Sequence, residues 1–129
     1  MIKNILFHKG GQPNPYSDLV IVDDRQLYLS GLIAMDLGSQ EVRYGTITEE
    51  TRLILDNLSQ ILRSYGSDMD HVVRIDVLLR DFSERDEMNA EYLRHFEPTR
   101  LPARLCYGGV ALHGSCRLEL CAVAVKRDP

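Results

Sequence analysis

The chain has 129 residues, of which 44% are hydrophobic and 26% are charged, and its formal net charge is −4. These values predict one globular domain over residues 1–129 and exclude the disordered and fibrous classes. The lysines and arginines are scattered, which argues against a nucleic acid as the main partner. The sequence shows neither a signal-peptide pattern nor a membrane span, so we expect a cytoplasmic protein without a membrane partner.

The first predicted elements are strands. Residues 2–7, IKNILF, predict a short edge strand. Residues 18–22, DLVIV, and residues 26–30, QLYLS, are strand-like and flank a DDR turn, which predicts a hairpin.

Residues 46–66 predict the first helix. Thr46 and Glu49 have the spacing of a capping box at its start, and Gly66 is typical of a helix end. Apolar residues recur every three or four positions and form a single stripe, which consists of Ile54, Leu58, Ile61, Leu62 and Tyr65.

A second helix is predicted to begin near Ser83 and to stop before Pro98. Ser83 would cap it, with Asp86 three residues later. Its apolar face consists of Met88, Tyr92 and Phe96.

Two longer strands are predicted at residues 72–80 and 116–125. The first alternates, with Val73, Ile75, Val77 and Leu79 on one side. In the second, Cys116 and Cys121 would point to opposite faces and could not pair. An odd count of three cysteines fits a reducing compartment better than a disulfide framework.

This order of elements predicts an α+β fold, in which both helices pack on one face of a sheet. Residues 18–22, 27–30 and 121–125 carry apolar side chains on both faces of their strands. The face without helices therefore needs a cover, and a second copy of the chain would provide it. We expect a homo-oligomer.

Glu119 and Arg104 are the charged residues that stand out in apolar strands. Glu119 is either a solvated carboxylate paired with Arg117 or Lys126, or a partly buried base with a shifted proton affinity. Arg104 is either a solvated residue at a strand start or a clamp for a carboxylate or phosphate. If Glu119 is the partly buried base and Arg104 is the clamp, we expect both residues to face one cavity.

Cys106 would lie on the same side of its strand as Arg104. It is either a thiol nucleophile or an inert core residue. The four histidines, which are His8, His71, His95 and His113, show no spacing that pairs them, and no zinc pattern is present, so we expect no metal site. The sequence also lacks a glycine-rich phosphate loop.

An ordered set of motifs covers nearly the whole chain. It consists of PYSD at 15–18, LYLSGLIAMD at 27–36, TRLILDNLSQIL at 51–62, DHVVRIDVLLRDF at 70–82, MNAEY at 88–92, LPARLC at 101–106 and LELCAVA at 118–124. In sequence and spacing, this set resembles the RidA/YjgF/YER057c/UK114 family.

The resemblance implies a chorismate-mutase-like (YjgF-type) mixed sheet with two helices on one face, assembled as a homotrimer with clefts between subunits. It implies cofactor-independent hydrolysis of 2-imino acids, which form from 2-aminoacrylate-type enamines, to 2-oxo acids and ammonia. Arg104 matches the family's carboxylate-binding arginine, and Glu119 matches its water-positioning glutamate. The other matched site positions are Tyr16, Ser30, Gly31 and Cys106.

The chain departs from the family pattern at several of these motifs. Leu32 replaces a common glutamine, Leu105 replaces a small hydroxyl residue, Cys121 replaces a frequent acid, and residues 107–115 differ from the usual link. Three alternatives therefore stay open: a non-catalytic module that binds a 2-oxo acid, a specialised deaminase of a catabolic enamine such as an aminomuconate, and action on RNA. The acidic balance argues against the last.

Overall fold

The computed structural model describes residues 1–7 and 14–129. Six strands form one mixed sheet in the order β1-β2-β3-β6-β4-β5, in which β4 and β5 are parallel and the other neighbours are antiparallel. The elements are β1 (Ile2–Ile5), β2 (Leu19–Val22), β3 (Gln26–Leu29), α1 (Ile47–Ser64), β4 (Val72–Leu79), α2 (Arg85–Tyr92), β5 (Ala103–Tyr107) and β6 (Leu118–Val125). The predicted α+β class is confirmed.

The predicted hairpin is formed by β2 and β3. Asp23 and Asp24 both have a φ of 53°, and the Arg25 amide donates to the Val22 carbonyl at 3.0 Å. Aspartate tolerates this left-handed backbone better than most residues, which explains a tight turn without glycine. The predicted edge strand is present but ends at Ile5.

Both predicted ends of α1 are confirmed. The Thr46 hydroxyl accepts from the Glu49 amide at 3.1 Å, and the Glu49 carboxylate accepts from the Thr46 amide at 2.9 Å. Gly66, just after the helix, has a φ of 83°, which glycine adopts without strain. The predicted stripe faces the core, with Tyr65 only partly buried.

The predicted cap of α2 is wrong, because Ser83 does not cap the helix and Glu84, the residue just before the helix, makes no side-chain cap bond. Asp81 caps the turn that precedes α2, since its carboxylate accepts from the Ser83 amide at 2.9 Å. A 3₁₀ turn over Phe82–Glu84 follows, and the α-helix begins only at Arg85.

Met88 and Tyr92 of the predicted apolar face lie on α2 and are buried. The predicted end is wrong, because α2 ends at Tyr92, a 3₁₀ turn covers Leu93–His95, and the buried Phe96 is extended.

Two strand predictions need correction. A register shift between Val72 and Arg74 leaves Val73 47% exposed, so Val73 does not share a face with Ile75. The last strand begins at Leu118, so Cys116 lies before it, buried, and the predicted alternation does not apply to that cysteine.

The core lies between the helices and one face of the sheet. The other face is open in the single chain and carries partly buried or exposed apolar side chains, namely Val20, Tyr28, Leu78, Leu105, Tyr107 and Val123. These side chains confirm that the uncovered face carries apolar residues; the charged Arg74, Asp76 and Glu119 lie on the same face. Within residues 1–7 and 14–129, no helix has the length and apolarity to cross a membrane.

Candidate functional site

The predicted site residues separate into two groups on opposite faces of the sheet. Arg104 and Cys106 are paired with Ile75 and Val77 of β4, which are buried on the helix side. Glu119 alternates with buried residues of β6 and therefore lies on the open face. The hypothesis that Arg104 and Glu119 face one cavity is thus wrong for a single chain.

Arg104 is held in place by α2. Its Nη1 donates to the Asn89 Oδ1 at 2.7 Å, and its Cζ lies 4.9 Å from the centroid of the Tyr92 ring. The ring supports one face of the guanidinium, and Asn89 occupies one of its five N–H donors. A guanidinium fixed in this way is suited to bind a carboxylate through two parallel bonds.

Cys106 lies on the same face as Arg104, as predicted. Burial raises the pKa of its thiol, and the positive charges of Arg104 and Arg85 lower it by less. The thiol therefore stays protonated at neutral pH, and a protonated thiol is a poor nucleophile. The structure favours a contact role for Cys106 over a nucleophilic one.

Glu119 is partly buried, and burial raises the pKa of its carboxylate. The two cations proposed to pair with it are engaged elsewhere, because Arg117 binds Glu84 at 2.9 Å and Lys126 binds Asp24 at 2.5 Å. The interpretation of Glu119 as a base with shifted proton affinity is therefore favoured over the solvated ion pair.

Gly31 provides the space for the Glu119 carboxylate. A Cβ at position 31 would overlap that carboxylate, so any larger residue would displace it. Leu32, the next residue, forms a backbone bridge to Leu120 in which both amides donate, at 2.6 and 3.0 Å. This bridge fixes the backbone of Gly31 against β6.

Ser30 hydrogen-bonds to the backbone, so its hydroxyl proton is not directed at the cleft. Its hydroxyl donates to the Ser17 carbonyl at 2.6 Å, and its amide donates to the Asp18 carbonyl at 3.0 Å. These bonds position the segment that carries Tyr16, whose side chain is exposed. Tyr16, Ser30, Gly31 and Glu119 all line an open cleft of about 960 Å³.

Two supporting residues were not predicted as part of the site. Asn89 and Tyr92 are three residues apart on α2, so both lie on the face that meets Arg104. Tyr92 was identified only as a core residue, which it also is. The polar Asn89, three residues before Tyr92, was the sequence feature that could have indicated this contribution of α2 to the site.

Glu50 is a buried carboxylate that sequence reasoning missed entirely. Its two oxygens accept from the Gly45 amide at 3.1 Å and from the Arg117 amide at 2.9 Å. The residue is 1% exposed. It thereby ties the start of α1 to the residue just before β6, and so helps to set the position of Glu119.

Within residues 1–7 and 14–129, no group of three or more histidine, cysteine or acidic residues is arranged to hold a metal ion. His71 and His95 each contact a carboxylate, Asp68 and Glu91 respectively, at 2.6 Å. His113 is exposed and lines the cleft with Glu119. His8 lies outside the described residues.

Comparison with known proteins agrees with the fold and the motifs. The family model described as "Endoribonuclease L-PSP" matches residues 10–126. A human protein named 2-iminobutanoate/2-iminopropanoate deaminase is 38% identical over 90% of this chain and 83% of its own length. A solved structure of a YjgF-family protein from Neisseria meningitidis superposes with a TM-score of 0.82 at 28% identity, covering 100% of this chain and 98% of that one.

A third relative is relevant to the cellular compartment in which the protein is expected. The protein from Saccharomyces cerevisiae that is named "MMF1, mitochondrial" is 32% identical over 79% of this chain and 69% of its own length. A cytoplasmic location for the present chain thus stays a prediction. The ordered motifs, the mixed sheet and these matches lead to one conclusion: the chain belongs to the YjgF/endoribonuclease L-PSP family.

Proposed function

We propose that this protein hydrolyses 2-imino acids to 2-oxo acids and ammonia. Arg104 binds the substrate carboxylate, Glu119 positions the water, and Tyr16, Gly31 and Cys106 contact the substrate. The names of relatives at 38% identity support this reaction class. The observation that carries it is an anchored guanidinium and a carboxylate of raised pKa, which are the two groups that the reaction needs.

The two groups lie on opposite faces of one chain, so a site that contains both needs two copies. We infer that the chain assembles as a homotrimer in which the Arg104 side of one subunit meets the Glu119 side of the next. The apolar side chains of the open face support such an assembly, because apolar patches of this kind mark interfaces.

The chemistry follows from the two groups. Arg104 fixes the substrate so that its C=N carbon lies next to the water on Glu119. The ionised carboxylate accepts a proton from this water as the C–O bond forms, and then donates it to the nitrogen. Glu119 then accepts the proton of the new hydroxyl group and donates it to the amino nitrogen, so that the C–N bond breaks, ammonia leaves and the 2-oxo acid remains. Each proton that Glu119 takes is returned.

The test is the release of ammonia from an imine that an amino-acid oxidase generates in the same vessel. We expect release to exceed the spontaneous rate, and Arg104→Ala to lose about a hundredfold or more in kcat/KM, since a charge-assisted pair is removed. Arg100→Ala, which changes an exposed arginine four residues earlier, is the matched control. An unaccelerated reaction would refute the proposal.

Calorimetry with a 2-oxo acid distinguishes the proposed deaminase from a protein that only binds the ligand. Binding that depends on Arg104 without any turnover would identify a non-catalytic binding module instead.

A further inference from the structure

A second guanidinium lies on the Arg104 side of the sheet. Arg85 is the first residue of α2, one helical turn before Asn89, so the two residues share a helix face. Asn89 contacts Arg104, and Cys106 is the next residue of β5 on the same face as Arg104. The positive charges of Arg85 and Arg104 both act on the Cys106 thiol, so both guanidinium groups lie within electrostatic range of it.

The Arg85 side chain is supported by an aromatic ring. Its Cζ lies 5.3 Å from the centroid of Phe82. Phe82 in turn packs directly on Gly108, just after β5, where a Cβ would overlap the ring. Gly108 thus allows Phe82 to pack at the end of β5, where its ring supports the Arg85 guanidinium.

In the part of the chain that the structure describes, the charge of Arg85 is only weakly compensated. The carboxylate of Asp86 lies 3.9 Å away, with a side chain that is 94% exposed. An ion pair at this distance and exposure contributes little, so an incoming anion can replace it. Arg104 has an amide partner, not a carboxylate, and is similarly ready for an anion.

We propose that the substrate is a 2-imino diacid, whose 2-carboxylate binds Arg104 and whose distal carboxylate binds Arg85. This inference rests on the proposed function and specifies its substrate class. The side chains of Arg85 and Asn89 leave α2 one helical turn apart, about 5–6 Å between their Cβ atoms, and Asn89 is the residue that contacts Arg104. A five-carbon diacid spans a similar distance, on the order of 5 Å from bond lengths near 1.5 Å.

The reaction is otherwise unchanged. Water adds to the C=N carbon, ammonia leaves, and the product is a 2-oxo diacid with both carboxylates intact. The Cys106 thiol, on which both guanidinium charges act, stays neutral because its pKa is raised. It therefore adds no negative charge that would repel a dianion.

The experiment compares two imines of equal chain length. Oxidation of D-glutamate by D-aspartate oxidase supplies the five-carbon imino diacid, and oxidation of D-norvaline by D-amino-acid oxidase supplies the matching monoacid. The imine that remains is trapped as its semicarbazone. We expect the wild-type protein to favour the diacid by about ten- to a hundredfold in kcat/KM, and this preference to shrink with added salt.

Arg85→Gln removes the charge and keeps a polar side chain. We expect the ratio of the two kcat/KM values to fall about tenfold or more in this variant, and Arg85→Lys to restore part of it. Arg94→Gln, at an exposed arginine just beyond α2, is the matched control and leaves the ratio unchanged.

The outcomes separate the two proposals. Turnover of the monoacid with no preference for the diacid, or a preference that survives Arg85→Gln, would overturn the diacid inference and leave the proposed function standing. If neither imine is turned over, the proposed function fails. Calorimetry with 2-oxopentanedioate and 2-oxopentanoate then decides the inference: tighter diacid binding that needs Arg85 supports it, and equal binding overturns it.

Discussion

At the scale of single residues, Glu119 carries the chemistry because of what surrounds it. Its neighbours along β6 are buried leucines, and the nearby cations Arg117 and Lys126 pair with other carboxylates. Burial, with no counter-ion among residues 1–7 and 14–129, disfavours the charged form and raises the pKa. A carboxylate of this kind holds a proton more readily than a solvated glutamate does, which suits a group that must accept and return one.

The raised pKa of Glu119 predicts a pH-dependent cost to stability. The folded chain binds this proton more tightly than the unfolded chain, so the free energy of unfolding falls as pH rises from about 4.5 through the raised value. We expect Glu119→Gln to be more stable than wild type in urea at pH 7, with the difference vanishing near pH 4, and to lose activity. A stability difference that is the same at both pH values would contradict this.

Gly31→Ala should damage catalysis more than folding. The added Cβ would overlap the Glu119 carboxylate, which is the flexible end of a side chain and can move aside. Displacement of a catalytic group by about 1 Å can cost on the order of a hundredfold in rate. We expect that loss in kcat/KM with an almost unchanged melting temperature.

Gly38→Ala is the control for this glycine, because a Cβ there meets only the Asp36 side chain, at 3.3 Å. Full activity of Gly31→Ala would show that the observed position of Glu119 is not needed.

At the scale of elements, α2 and β5 together position the carboxylate clamp. Strand β5 is an edge strand and alternates between exposed and partly buried residues without a fully buried face. The side chain of Arg104 is therefore fixed by α2, through its hydrogen bond to Asn89 and its contact with the Tyr92 ring. The position of Arg104 depends on an element that begins almost twenty residues earlier in the chain.

Asn89→Ala should loosen Arg104 without removing its charge. Loss of a hydrogen bond to a charged group is worth about 1.5–3 kcal/mol in such sites. We expect KM to rise about tenfold or more while kcat changes less, because the ground-state contact to the carboxylate is weakened along with that in the transition state. Steady-state kinetics measures both values. Equal KM values for variant and wild type would show that the bond from Asn89 does not position the clamp.

The elements differ in how well the sequence predicted them, and the reason is local. The ends of α1 depend on Thr46, Glu49 and Gly66, which act within a few residues, and both ends were right. The face predicted for Val73 was wrong, because the bulge depends on how β4 pairs with β6. The alternation of residues in β4 alone does not indicate it. Similarly, the family motifs located Arg104 and Glu119, but the face of Arg104 follows from the register of β5 on β4 and that of Glu119 from the pairing of β6 with β4.

At the scale of the whole molecule, each chain carries one half of the proposed site on each face of its sheet. Mixing two inactive variants tests this directly. In an assembly of Arg104→Ala and Glu119→Gln chains, a cleft between unlike chains can combine the intact Arg104 of one with the intact Glu119 of the other. For random mixing at equal amounts in a closed ring, about a quarter of the clefts are complete.

We therefore expect co-refolded variants to regain about a quarter of wild-type activity, although each alone is inactive. Variants that are refolded separately and mixed without exchange are the control. No recovery, in a sample in which gel filtration and differential tagging show mixed assemblies, would place both groups in a site of one chain.

The separation of Arg104 and Glu119 by the thickness of one sheet has a kinetic consequence. If neither face is complete alone, the concentration of the protein itself enters the rate law. Specific activity is then constant above the dissociation constant of the assembly and falls steeply below it, and substrate that bridges two subunits restores it. Dilution series at fixed substrate would reveal this dependence, and newly made chains would stay inactive until they find one another.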